Sequence, residues 1–274
     1  LLIFMLILLF SVTTIIFFLL LFCNGLYNIN SITPQVKNSD LNKFGIKKIY
    51  PSKINGEEWY INMDNPLDDE RFDPFNIVFN ENQTPVFKFE INNDSSWSII
   101  PLTSYTYVRM NVMTSSGYDR NQIATFNHSM LAKKGYIQSP NDWKNVEMTG
   151  YIKLNQFNIE EDEGILQWYN RGGIHYTNDE SSNEACEGVG YKGNLFFNGD
   201  VRFAKEQWHV SYGFTDKKNN VTSSLKDKWI GFKYIAYNIE DKNENKENVK
   251  LEIWLDKKAN NKWTQVYQYV DDGN

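Results

Sequence analysis

The chain has 274 residues, of which 41% are hydrophobic and 15% aromatic, and its formal net charge is −6 at pH 7. A mildly acidic chain without a basic run is unsuited to phosphate backbones, so we exclude nucleic acid as the main partner. No zinc-ligand spacing, phosphate loop or serine-nucleophile motif occurs in the sequence, so we expect no cofactor.

Residues 1–25 carry no charged side chain and are dominated by Leu, Ile and Phe. Such a segment is typical of an apolar helix that is removed as a signal peptide or stays as a membrane anchor. Cys23 and Gly25 are small residues at positions −3 and −1 of a possible cleavage site after Gly25, which favours removal of the segment as a signal peptide. The uncleaved anchor is the alternative, and membrane contact is expected only through residues 1–25. Both interpretations predict a domain that is secreted or held at the cell surface.

Residues 26–45 are polar and are interpreted as a linker, and residues 46–274 as the folded domain. From residue 46 onward, period-two alternation recurs without long helical patterns. The predicted strands are 86–92, 105–113, 144–155, 164–171, 201–212, 229–238, 249–256 and 263–270. A short helix is expected at 129–135 and a hairpin turn at 242–248. Many strands with turn-rich links predict an all-β fold, a two-sheet antiparallel sandwich or jelly roll.

Cys186 is the only cysteine after residue 25, which is unusual in an oxidising compartment. Either the thiol is buried, or its partner lies beyond the end of the chain. The last residues, 270–274, are turn-like and directly follow a strand pattern. We therefore expect the domain to be truncated at its C-terminus, without a closing strand and a second cysteine.

Alternation assigns one face of each strand to the core. The predicted inward residues at 144–155 and 249–256 are Val146, Met148, Gly150, Ile152, Leu154, Val249, Leu251, Ile253 and Leu255. The opposite faces carry Tyr, Trp, Arg, His and Gln together. One such face is predicted to hold Gln167, Tyr169, Arg171, Gly173 and His175. Another is predicted to hold Lys205, Gln207 and His209. This mixture is typical of a concave surface that grips sugar rings and carboxylates.

Four stretches resemble the concanavalin A-like jelly-roll proteins, nearest to their alginate and glucuronan lyase branch. They are 143–151 (WKNVEMTGY), 171–176 (RGGIHY), 186–193 (CEGVGYKG) and 229–234 (WIGFKY). The chain also resembles uncharacterised exported microbial proteins, through its opening at 48–51 (KIYP) and 56–59 (GEEW). The resemblance covers most of residues 45–274 and implies the jelly-roll fold.

The resemblance implies β-elimination on a polysaccharide that contains uronic acid. That reaction needs a neutraliser for the sugar carboxylate, a base for the C5 proton and an acid for the leaving oxygen. By this resemblance His175 is the candidate base, Tyr191 the candidate acid, and Arg171 or Arg109 the neutraliser. Gly173 stands where those lyases carry Gln, which favours binding over cutting.

The remaining candidate residues are assigned to the substrate because they lie on predicted polar faces or in a glycine-rich turn. They are Arg109, Asn111, Glu147, Tyr151, Lys153, Gln167, Lys192, Lys205, His209 and Trp254. Their Arg, His and Lys content favours an anionic polysaccharide as the partner.

The acidic run 160–163 (EEDE) does not suit a catalytic pair, because neighbouring residues on a strand point to opposite faces. We interpret it as a solvated loop that is compatible with a structural calcium ion, and we predict no catalytic metal. Two alternatives to a lyase stay open. One is a non-catalytic, lectin-like glycan-binding module, and the other is a structural protein of the cell envelope.

Overall fold

The structure, a computed structural model, describes residues 40–61, 72–73, 87–102, 111–112, 143–157, 160–171, 190–208, 211–241 and 246–273. In these ranges the regular secondary structure is entirely β. The strands are β1 Phe72–Asp73, β2 Phe87–Ile91, β3 Trp97–Pro101, β4 Asn111–Val112, β5 Val146–Lys153, β6 Ile165–Asn170, β7 Gly190–Phe196, β8 Val201–Trp208, β9 Ser211–Phe214, β10 Trp229–Asp241, β11 Lys246–Asp256 and β12 Thr264–Asp271.

Two four-stranded antiparallel sheets dominate the described part of the chain. Sheet I has the order β12-β11-β10-β5, and sheet II has the order β6-β7-β8-β9. The chain enters sheet I at β5, forms all of sheet II, and returns to sheet I at β10 beside β5. Two small antiparallel pairs, β1–β4 and β2–β3, complete the described strands. The predicted all-β class with antiparallel pairing is confirmed.

The core lies between the two sheets. Phe203 of sheet II stacks on Tyr267 of sheet I with ring centroids 5.0 Å apart. Trp168 donates its indole N–H to the Phe232 carbonyl across the sheets at 3.1 Å. Each large apolar side chain buried here contributes about 1.5–3 kcal/mol of transfer free energy. The inward faces predicted for 144–155 and 249–256 are confirmed, since their apolar residues belong to or pack against this core.

Several features of the strand prediction were wrong, and strands β1 and β3 were not predicted. The segment 201–212 is not one strand, because the chain reverses between Trp208 and Ser211 and pairs β9 with β8. Strand β7 went unpredicted because its sequence, GYKGNLF, holds two glycines that weaken the strand signal. Residues 246–248, predicted as part of a turn, belong to β11, which begins at Lys246.

Several predictions fall outside the described residues. They concern the segment 1–25, most of the linker 26–45, the helix at 129–135, Cys186, and the strand 105–113 apart from β4. Within the described ranges, no helix has the length and apolar character needed to cross a membrane.

Gly199 sits in the turn between β7 and β8 with a φ of +93°, and a Cβ there would lie 2.1 Å from the Thr222 carbonyl oxygen. We expect Gly199→Ala to lower the free energy of unfolding by about 3 kcal/mol, because backbone strain and a clash act together. Gly45→Ala is the matched control, since Gly45 also has a positive φ but nothing within 4 Å of a Cβ. Urea titration of both variants checks this. Equal losses would contradict the role of the Thr222 contact.

Candidate functional site

The outer face of sheet I is covered by the segment 40–61. Backbone N–H groups of Ile49 and Tyr50 donate to the Glu147 carboxylate at 3.0 and 2.8 Å. The Lys233 ammonium donates to the Lys47 carbonyl at 2.9 Å, and Asn261 exchanges hydrogen bonds of 2.8 Å with this segment. This face of the sheet is therefore largely occupied by the protein's own chain.

Four predicted substrate-binding residues lie on this covered face. Glu147 accepts hydrogen bonds from the covering segment and also forms an ion pair with Lys233. Tyr151 donates to Asp256 at 2.7 Å, and Trp254 donates to Glu252 at 2.8 Å. Lys153, at the end of β5, is exposed. Three of these four side chains are thus held by contacts within the protein.

A second group of predicted residues meets at one end of the space between the sheets. Tyr191 and Lys205 both contact the Asp271 carboxylate, at 2.5 and 2.8 Å. The Arg171 guanidinium lies 5.7 Å from the Tyr191 ring centroid and donates to the Lys144 carbonyl at 2.6 Å and to Asn238 at 2.5 Å. The structure therefore brings Arg171, Tyr191 and Lys205 together.

Two predicted faces need correction here. Arg171 does not continue the face of Gln167 and Tyr169, because β6 ends at Asn170 and Arg171 has a φ of +58°, which breaks the alternation. Lys205 follows the inward residues Val201 and Phe203 and reaches Asp271 of sheet I, so it does not face outward.

The protonation of this cluster is set by burial and hydrogen bonds. Burial and the hydrogen bond to Asp271 raise the pKa of Tyr191 well above 10.0. Burial alone would raise the pKa of Asp271, but hydrogen bonds from Lys205 and Tyr191 outweigh it and hold that pKa below its ordinary value. Tyr191 is thus a stable hydrogen-bond donor to a charged carboxylate, and it gives up its proton less readily than an ordinary tyrosine.

The outer face of sheet II carries polar and aromatic side chains in register. Gln167, Asn194 and Arg202 are aligned across β6, β7 and β8. The next row crosses all four strands through Tyr169, Lys192, Ala204 and Phe214. The row after that pairs Glu206 with Tyr212. Gln167 also donates to the Asn194 side chain at 2.8 Å.

Cations and aromatic rings contact one another in a continuous series along this face, and we call the set the cation–aromatic ladder. In spatial order its members are Tyr169, Lys192, Tyr212, Phe214, Arg202, Phe196 and Lys217. The Lys192 ammonium lies 4.9 Å from the Tyr169 centroid and 4.4 Å from that of Tyr212. Tyr212 and Phe214 stack with centroids 5.8 Å apart and an interplanar angle of 10°. The Arg202 guanidinium lies 4.1 Å from the Phe214 centroid. Tyr212 and Phe214 are 42% and 54% exposed.

Of the predicted substrate-binding residues, Gln167 and Lys192 lie on this face. Sequence reasoning missed Tyr212, Phe214, Arg202 and Lys217. The signal that could have found the two rings is their i, i+2 spacing, which puts both on one face of a strand. Arg109, His175 and His209 lie outside the described residues. Asn111 pairs with Asp73 through β4, and its side chain is not described.

The acidic run 160–163 forms a turn, in which the Glu163 and Gly164 N–H groups donate to the Glu160 carbonyl at 3.0 and 3.1 Å. The interpretation of this run as a loop is confirmed. Among the described residues, no group of three or more His, Cys, Asp or Glu side chains is arranged to hold a metal ion.

The chain was compared with protein-family models, with curated proteins and with solved structures. Nothing in any of the three sets matches it.

Proposed function

We propose that this chain is an exported protein that binds polysaccharide on the outer face of sheet II. The exposed, stacked pair of Tyr212 and Phe214 carries this proposal. The fold proposed with it is a concanavalin A-like jelly roll, in which sheets I and II are the two layers.

The chemistry of this face suits a sugar chain. The C–H faces of pyranose rings pack on aromatic rings, and covering an exposed ring releases apolar surface from water. The amide of Gln167, which is exposed on the same face, offers a donor and an acceptor to sugar hydroxyls. Sheet I is the less suitable surface, because the segment 40–61 covers much of its outer face and the exposed ring of Tyr50 there donates its hydroxyl to Glu252.

Cleavage by β-elimination is the second candidate function, with His175 as base, Tyr191 as acid and Arg171 as neutraliser. The contact of Arg171 with the Tyr191 ring favours it. The hydrogen bond from Tyr191 to Asp271 and the raised pKa of Tyr191 oppose proton donation by Tyr191. Binding is therefore the function that the contacts support better.

We expect Tyr212→Ala and Phe214→Ala each to weaken polysaccharide binding about tenfold, because a stacked aromatic contact of about 1.4 kcal/mol is lost. Affinity electrophoresis on a panel of neutral and acidic polysaccharides measures the effect. Phe44→Ala is the matched control, since Phe44 is 55% exposed but belongs to the segment that covers sheet I. Equal weakening by all three variants would remove this face as the site.

The same panel separates the rival functions. A rise in ultraviolet absorbance from unsaturated uronate ends, abolished by His175→Ala, would make the protein a lyase. Retention without such a rise would make it a binding module. Retention on no polysaccharide would contradict the proposal and favour a structural envelope protein.

A further inference from the structure

The cation–aromatic ladder is charge-balanced at one end and positively charged at the other. At the balanced end the Lys192 ammonium lies 2.5 Å from the Glu206 carboxylate, and both side chains are buried. At the other end Lys217 and Arg202 both lie over the Phe196 ring, at 4.0 and 5.2 Å from its centroid. Within the described part of the chain, no carboxylate forms an ion pair with either of these two cations.

The Arg202 guanidinium is partly desolvated, and its described contacts are with the rings of Phe214 and Phe196. Its Nε is buried and has no hydrogen-bond partner among the described residues, and burial lowers the pKa of Arg202. Buried polar groups in folded proteins are nearly always hydrogen-bonded, so a donor left in this state has a cause to be sought. Because this Nε is buried in the absence of a ligand, a bound anion would accept from the terminal N–H groups of the guanidinium and offset the desolvation of the charge.

Two nearby acids, Asp200 and Asp216, do not act as ionic partners of Arg202 or Lys217. The Asp200 carboxylate accepts from the Asn220 N–H at 2.7 Å and from the Asn198 amide at 2.9 Å, so it stabilises the turn after β7. Asp216 precedes Lys217 in the chain, but the described contacts include no ion pair between Asp216 and either cation.

The geometry suits an oxyanion. Contact with Phe196 and Phe214 restrains the planar guanidinium, whose paired N–H groups match the two oxygens of a carboxylate or sulfate. Lys217 adds a second charge at the same ring. The exposed Phe214 ring joins this end of the ladder to the row where sugar rings are proposed to pack.

We infer that Arg202 and Lys217 form an anion subsite that takes the carboxylate or sulfate group of an acidic glycan. This rests on the proposed function, because the same face must hold the sugar chain. The subsite sets the ligand class: glycans with an anionic group on a sugar that stacks at Phe214 bind more tightly than neutral glycans.

The test compares three probes with the full chain: a neutral β-glucan, a polyuronate and a sulfated galactan. We expect at least one acidic probe to bind about tenfold more tightly than the glucan at low salt, and this advantage to shrink as salt is added. Arg202→Gln and Lys217→Gln should each remove most of the advantage. Lys217 contacts Phe196 and has no described contact with the stacked pair, so Lys217→Gln should lower binding of the acidic probe far more than binding of the glucan. Lys258→Gln, in the exposed turn after β11, is the matched control for the loss of one positive charge.

The outcomes separate the subsite from the proposed function. Preference for the polyuronate assigns the subsite to carboxylate, and preference for the galactan assigns it to sulfate. Equal binding of all three probes, unaffected by either substitution, overturns the subsite and leaves glycan binding intact. Binding of none overturns the proposed function and the subsite with it. If Arg202→Gln fails to fold, Lys217→Gln decides the question, because Lys217 is exposed and its described side-chain contact is with the Phe196 ring alone.

Discussion

Replacing Glu147 by Ala is expected to lower the free energy of unfolding by about 3–5 kcal/mol, the range for breaking a buried ion pair. Lys233 lies in the middle of β10 with a side chain only 1% exposed, and Glu147 is its ionic partner. Without Glu147, the Lys233 charge keeps its contacts with the Lys47 carbonyl and the Trp263 ring, and among the described residues it has no other ionic partner. The segment 40–61 also loses the acceptor that holds Ile49 and Tyr50.

Two further variants show which of these losses dominates. Glu147→Gln keeps one oxygen acceptor for the two backbone N–H groups, and it replaces the charge and the second acceptor oxygen, which faces Lys233, by an amide NH2 group. The double variant Glu147→Gln with Lys233→Met removes both charges at similar volume, and we expect it to recover most of the stability. Chemical denaturation measures all of them. A loss below about 1 kcal/mol for Glu147→Ala would mean that the pair contributes no more than a surface salt bridge.

The pH dependence of stability gives an independent readout of the same site. Burial lowers the pKa of Lys233 below 10.5, and Glu147 offsets only part of that shift. Between the lowered pKa and 10.5 the unfolded chain binds more protons than the folded chain, so the contribution of Lys233 to stability rises with pH. Tyrosines such as Tyr151, whose pKa burial raises, act in the opposite direction above their ordinary value of 10.0. The stability difference between wild type and Lys233→Met, followed across this window, isolates the lysine.

Alternation in the sequence predicts which residues of a strand face the core, but not what covers the opposite face. The inward residues of β5 and β11 follow directly from their period-two pattern. Glu147 has the pattern of an open polar face, yet its carboxylate is occupied by backbone N–H groups of the segment 40–61. The contact with Tyr50 joins residues 97 positions apart, so no local period encodes it.

The site on sheet II was only partly predictable for a related reason. Gln167 and Lys192 lie on the expected kind of face, but Tyr212 and Phe214 belong to β9, which the unbroken alternation of 201–212 concealed. A tight reversal preserves a period of two, so the pattern continues while the chain changes direction. For Arg171 the prediction failed differently. Its left-handed backbone conformation ends the alternation of β6, so its side chain does not lie on the face that the alternation predicted.

Lys192→Met is expected to have the second large effect, a loss of about 3 kcal/mol in the free energy of unfolding. It removes the ammonium that lies 2.5 Å from Glu206, whose side chain has no exposure to water. It also removes the cation next to Tyr212, which donates to the Tyr212 hydroxyl at 3.3 Å. We therefore expect polysaccharide binding to weaken together with stability, because the loss of Lys192 displaces the Tyr212 ring. Thermal unfolding and affinity electrophoresis measure the two effects on the same samples.

The double variant Lys192→Met with Glu206→Gln distinguishes support of the ring from direct contact with the sugar. It removes both buried charges and retains side chains of similar size under Tyr212, so we expect stability to return close to that of the wild type. Because Lys192 is itself buried, polysaccharide affinity should return with it, to within about threefold. A restored fold with affinity still tenfold lower would instead mean that the Lys192 ammonium contacts the glycan. In that case the ladder would present its charges to the ligand along its whole length, and not only at Arg202 and Lys217.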